Sequence, residues 1–153
     1  MRFAPLAVLF LASCSKDDAP PPDIGQTKVM IRELIEKYHA AGDVKDLDTM
    51  KSLLSPNVTM YRGAEEFARG IDKCMEELVW RFSQIPQKER RTFLASVTIE
   101  PMGDFAVATY VASVGTEHGP ITAIFRRSQG KWLIKHLHES WSSIVPKPGG
   151  KPN

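Results

Sequence analysis

Apolar residues recur at Val29, Ile31, Leu34, Ile35 and Tyr38, close to helical spacing, and Gly42 stands where a C-terminal cap belongs. This pattern predicts a first helix with one buried side. Leu47, Met50, Leu53 and Leu54 predict a short second helix, capped by Asp46 and ended at Ser55-Pro56, because proline disfavours helical geometry in the residue before it. A short strand is predicted over Asn57 to Tyr61. Phe67, Ile71, Cys74, Met75, Leu78 and Phe82 fall three and four residues apart and predict a longer third helix, closed by Pro86. Beyond Arg91 the residues change in kind. Thr92 to Glu100, Phe105 to Gly115, Pro120 to Arg127 and Trp132 to Trp141 are rich in Val, Ile, Thr, Phe and Trp and predict four strands. The links between them, Pro101 to Asp104, Glu117 to Gly119 and Ser128 to Gly130, carry turn-forming residues. Helices first and a hairpin-joined meander second predict an α+β domain, with three N-terminal helices packed on one face of a curved antiparallel sheet.

The N-terminal pattern is of another kind. Arg2 precedes an apolar run from Phe3 to Ala12, broken only by Pro5, which is too short to span a bilayer and suits the apolar region of a secretory signal. Leu11-Ala12-Ser13-Cys14 resembles the lipobox of bacterial lipoproteins, in which the cysteine is lipidated and becomes the first mature residue. Three acyl chains give a firm anchor at about 0.8 kcal/mol per buried methylene. The alternative is an ordinary signal peptide cut near Cys14 without lipid. The resemblance implies a signal over residues 1–13, a lipidated cysteine and flexible linker over 14–26, a folded domain over 27–143 and a disordered Pro-, Gly- and Lys-rich tail over 144–153. It also implies membrane attachment facing the periplasm. Ser15, standing where enteric-type inner-membrane retention has aspartate, favours the outer membrane over the inner.

Among 153 residues, Lys and Arg number 20 against 18 Asp and Glu, with no dense basic block. That excludes nucleic acid as the expected partner, since phosphate binding needs a concentrated positive face. With Cys14 lipidated, Cys74 has no cysteine left to pair with.

The closing run Gly130-Lys131-Trp132-Leu133-Ile134-Lys135-His136-Leu137-His138-Glu139-Ser140 resembles the ending of SnoaL-like domains in the NTF2-like superfamily. The association domain of calcium/calmodulin-dependent protein kinase II shares that ending. Arg69-Gly70-Ile71-Asp72 and Met102-Gly103-Asp104 resemble further turns of the family. The resemblance implies a cone with a pocket between the long helix and the concave sheet face, and a homodimer formed through the outer face. It hosts isomerases, dehydratases, hydrolases and binders, so it names no chemistry. Carried over residue by residue, the kinase domain's pocket arginines match Ser113, Ala123 and Glu139, and a pocket histidine matches Cys74. All are replaced here, which implies a mostly apolar cavity with one acid.

Alternation puts Trp132, Ile134, His136, His138 and Ser140 on one face of the last strand, and Leu133, Lys135, Leu137, Glu139 and Trp141 on the other. The resemblance turns the second set inward, together with Val107, Thr109, Val111, Ser113, Ile121, Ala123 and Phe125. Cys74, Leu78, Trp80, Phe82, Ser113, Ala123, Phe125 and Leu137 then line the expected pocket. Glu139, a carboxylate beside an apolar cavity, is the candidate acid or base, against the plainer reading of a solvated acid at a strand end. Tyr38 is the candidate hydrogen-bond donor, against a packing role. His136 and His138 have a spacing that metals use, but a third ligand from His39 or His118 has no diagnostic spacing, so neither metal nor cofactor is expected. Cys74 as a nucleophile is weighed against a core thiol. Three functions remain open: an envelope lipoprotein binding a small, largely apolar molecule or acting as an accessory module, an enzyme using Glu139 and Tyr38, and a structural partner-binding protein.

Overall fold

The computed structural model describes residues 23–63, 65–84 and 91–143, leaving the expected signal, Cys14, most of the expected linker, Pro86 and the expected C-terminal tail outside. Helix α1 spans Ile24–Asp43, and the Asp23 carboxylate caps it by accepting from the backbone N–H groups of Gly25 and Gln26. Such a cap contributes about 1 kcal/mol. The buried stripe is Thr27, Ile31, Leu34, Ile35, Tyr38 and Ala41, so Thr27 rather than Val29 faces inward at its start. The helix runs past Gly42 and is capped by Val44. Helix α2, Leu47–Leu53, starts at Asp46 as expected, but Leu54 already belongs to strand β1, Leu54–Arg62. Phe67 lies in strand β2, Glu65–Arg69, which forms a hairpin with β1 before helix α3, Ile71–Gln84, begins.

The meander follows as β3 (Thr92–Met102), β4 (Phe105–Val114), β5 (Glu117–Ser128) and β6 (Lys131–Glu139), with a two-residue β7 (Ser142–Ser143) against β5. Sheet order is β2-β1-β6-β5-β4-β3. Every pairing is antiparallel except β1 with β6, because β1 reaches the sheet from the helical half of the chain and joins the far side of the meander. Glu117 to Gly119 extend β5 instead of turning. Gly115 takes up the reversal there, with a φ of 60° that costs glycine little.

Two sheet details position the site. Ile124 and Phe125 of β5 face His136 and Ile134 of β6, so Lys135 is an extra residue, a β-bulge. Trp132 and Ile134 before it, and Leu137 and Glu139 after it, are therefore all buried on one side. Strict alternation, which puts Trp132 and Ile134 opposite Leu137 and Glu139, holds only on each side of the bulge. On β4 the buried set is Ala106, Ala108, Tyr110 and Ala112. They pair with Phe125, Ala123, Ile121 and Gly119, so Val107, Thr109, Val111 and Ser113 lie on the opposite face from the one expected. Packing explains the inversion: small alanines let the helices approach the concave face closely, while the β-branched residues occupy the open side.

Candidate functional site

The last turns of α1 and α3 meet β6 around a cavity of about 40 Å³, lined among others by Tyr38, His39, Asp43, Arg81, Glu139 and Trp141. That space admits roughly three ordered waters. The resemblance implies a mostly apolar cavity with one acid; among the described residues Met50, Leu78 and Phe82 fill much of this region, and Asp43, Arg81 and His39 join Glu139 in its lining. The remaining wall is substantially polar.

Glu139 is 5% exposed, and two donors converge on its Oε2: Arg81 Nη1 at 3.0 Å and the indole Nε1 of Trp141 at 2.7 Å. Its Oε1 has no hydrogen bond among the described residues. The bulge at Lys135 aims this side chain inward. Gly119 holds Trp141 in place, since a Cβ there would sit 1.9 Å from the Ser140 carbonyl oxygen. Only glycine lets the chain cross at this point, where Ser140 N–H donates to the Pro120 carbonyl at 3.1 Å.

Tyr38 is 4% exposed and lines the cavity with its hydroxyl unbonded among the described residues. Burial first, and then the nearby Glu139 charge, push that hydroxyl far above its ordinary range, so it stays protonated and can donate. His39 Nε2 lies 3.0 Å from the Tyr110 hydroxyl, and its ring meets Tyr38 and Tyr110 edge to face. Burial lowers the pKa of His39, outweighing the opposite pull of Glu139 and Asp43. The imidazole is neutral near pH 7. Asp43 ties the end of α1 to β3, accepting from Thr92 N–H at 2.8 Å and from Thr92 Oγ1 at 2.6 Å.

Of the expected pocket residues, Glu139, Tyr38, Leu78 and Phe82 do meet at this cavity. Cys74, Ala123, Phe125 and Leu137 are buried in the packed interior outside its lining, and the Cys74 thiol donates to the Val58 carbonyl. Ser113 is half-buried on the convex face, paired with His118. Trp80 is 62% exposed on the outer side of α3 and walls no interior pocket. His136 Nδ1 bonds Thr59 Oγ1 at 2.8 Å and His138 Nε2 donates to the Gly63 carbonyl at 2.8 Å, so each histidine has its own partner on the face away from the cavity. Arg81 and Asp43 are the site residues that sequence reasoning missed, whereas His39 entered it only as a third metal ligand and instead meets Tyr110 beside the cavity. Arg81 had a signal available: it stands three residues beyond Leu78 on the inward stripe of α3.

A family model described as a SnoaL-like domain matches residues 31–145. No curated protein matches this chain by sequence. Among solved structures, an NTF2-like protein of unknown function from Pseudomonas putida KT2440 is 19% identical with a TM-score of 0.70, covering 84% of this chain and 98% of its own. A candidate dehydratase of the NTF2-like family from Streptomyces avermitilis is 15% identical with a TM-score of 0.68, over 79% of this chain and 99% of its own. An NTF2-like protein with a cystatin-like fold from Novosphingobium aromaticivorans is 18% identical with a TM-score of 0.67, over 81% and 86%. These likenesses speak for the fold alone. With the family match covering nearly all of the folded region, from α1 through β7, the chain belongs to the SnoaL-like domain family and has the NTF2-like fold.

Proposed function

We propose that this chain is an outer-membrane lipoprotein, tethered through Cys14 and facing the periplasm, whose SnoaL-like domain binds a small molecule through a polar head at the Tyr38, Arg81 and Glu139 cavity. One observation carries the binding reading: the Tyr38 hydroxyl and Glu139 Oε1, both in nearly buried side chains and both without a hydrogen bond among the described residues, belong to one cavity wall. Both atoms keep some contact with solvent, so an occupant would exchange ordered water for its own donor and acceptor at this wall. The test is native mass spectrometry of the intact lipoprotein, extracted gently in detergent. Wild type should carry a small molecule that Glu139→Leu protein lacks. An empty wild-type protein that also takes nothing up from an envelope extract would refute the reading.

The same pair of groups favours a second reading, proton transfer. Glu139 Oε1 would take a proton from the bound molecule while Tyr38 donates a hydrogen bond to the oxygen that gains charge. The Streptomyces neighbour offered as a dehydratase fits this class. Here Glu139→Gln should keep the ligand and abolish its turnover. Two further parts of the proposal have their own checks. Cys14→Ala should release the chain from the membrane fraction. The convex face around Thr59, Tyr61, His136 and His138, half-buried already in a single copy, is the proposed homodimer contact, and sedimentation at monomer mass would count against it.

A further inference from the structure

Helix α1 enters the fold at one particular end of the sheet. Asp43 at its close bonds Thr92 at the start of β3, and Lys28 and Val29 near its beginning share a groove with Thr98 and Ile99. The helix thus runs opposite to β3, and its first turn points toward the β3–β4 turn at Gly103. The β5–β6 turn lies at the same end, since Phe105 pairs with Arg126 and Arg127 N–H donates to the Asp104 carbonyl at 2.7 Å. Three large apolar side chains, Ile24, Met102 and Phe105, stand out from this end, each between 43% and 64% exposed. Cations flank them. The Arg126 guanidinium lies 5.8 Å from the centre of the Phe105 ring, and neither Arg126 nor Lys28 has an ion pair among the described residues. Of the acids beside them in sequence, Asp104 is paired with Arg127 and Asp23 caps α1, so Glu100 alone has no partner among the described residues.

Resting on the lipid tether at Cys14 proposed above, we infer that this end of the domain docks on the bilayer that holds the anchor. Ile24, Met102 and Phe105 enter the headgroup layer, while Lys28 and Arg126 meet the phosphates of anionic lipids. Exposed apolar residues with cations beside them are what such an interface favours. Tether length makes the contact local. Only eight residues, Ser15 to Pro22, separate Cys14 from Asp23, and even fully extended they reach about 30 Å. Val44 and Phe93 are exposed as well, but they stand at the far end of the sheet, about 30 Å away along α1. Docking in this way turns the Tyr38 and Glu139 cavity away from the lipid, because Asp43, Thr92 and Val114 in its lining belong to that far end. The cavity then faces the periplasm while the body rests on the membrane.

Hydrogen exchange read by mass spectrometry, on the intact chain purified from membranes, tests this docking. The chain is loaded into nanodiscs of phosphatidylcholine alone, or of equal parts phosphatidylcholine and phosphatidylglycerol. On the anionic discs, exchange over residues 24–28 and 102–105 should slow about fivefold relative to neutral discs, the worth of one cation at a charged surface, while residues 115–117 at the far end stay unchanged. In about 1 M salt, where the screening length falls to about 3 Å, most of the slowing should vanish. Lys28→Glu combined with Arg126→Glu, both at exposed positions, should abolish it while the chain stays on the disc through Cys14. Loaded discs without slowing at these turns, or with slowing at 115–117 instead, would overturn the docking and leave the tether standing. A chain missing from the membrane fraction, with nothing to load, would overturn both. The comparison of neutral with anionic discs uses the wild-type chain, so it does not depend on how the variant folds.

Discussion

In the deep interior, Phe125, Ile134, Leu137 and Met60 are held by contact on all sides, whereas around the cavity Arg81, Glu139 and Trp141 are held by directed bonds. The first group depends on volume, and any apolar side chain of similar size preserves most of its contribution. The second depends on pairing, and losing one member leaves another stranded. Substitutions of similar bulk should therefore behave in opposite ways in the two regions.

The largest effect is expected from Phe125→Ala, which empties a fully buried site and should cost about 4 kcal/mol, whereas Phe125→Leu should cost under about 1.5 kcal/mol. Chemical denaturation of both variants measures the difference. Arg81→Met keeps bulk but leaves the Glu139 carboxylate nearly buried without its cation, at about 3 kcal/mol. If pairing is what matters, Arg81→Met combined with Glu139→Leu should recover most of that loss in a double-mutant cycle. A double variant as unstable as the sum of the singles would remove the contrast between the regions. Asp43→Ala unties α1 from β3 and should lower stability by about 1.5 kcal/mol, read as a shift in the denaturation midpoint.

The smallest effect is a pH dependence. His39 has a folded pKa below its unfolded value of 6.5, so above that value both states are neutral and nothing is lost. As pH falls through 6.5 the unfolded chain takes up a proton that the folded chain refuses, and stability declines until the folded imidazole titrates too. Thermal melts across that window should show the decline, and His39→Gln should flatten part of it. The remainder includes His136, whose pKa burial also lowers.

The α+β class, three helices and the four-strand meander were legible because hydrophobic periodicity is a local property. Asp46 was legible as a cap for the same reason, and its carboxylate does accept from Thr49 N–H. What lay beyond one sequence was non-local. Strand β2 occupies a stretch read as the start of a helix, and its place is set by pairing with β1. Tyr38 and Glu139 were legible as candidates because each combines a functional group with an inward position. Arg81 was not, since its meaning comes from a carboxylate 58 positions away in sequence. The inward face of β4 was misread because it was carried over from the resemblance, whereas the closeness of the helices makes the alanine side the better fit.

The extra residue at Lys135 acts as a phase shifter for everything downstream of it. Deleting that one residue would set Ile134 directly before His136 and keep Leu137 and Glu139 inside by plain alternation, whereas flattening the bulge with Lys135 retained would turn Leu137 and Glu139 toward solvent and carry His136 and His138 inside. The acid in the interior is thus owed to one backbone irregularity: the same letters in unbroken alternation would furnish that wall with two imidazoles instead.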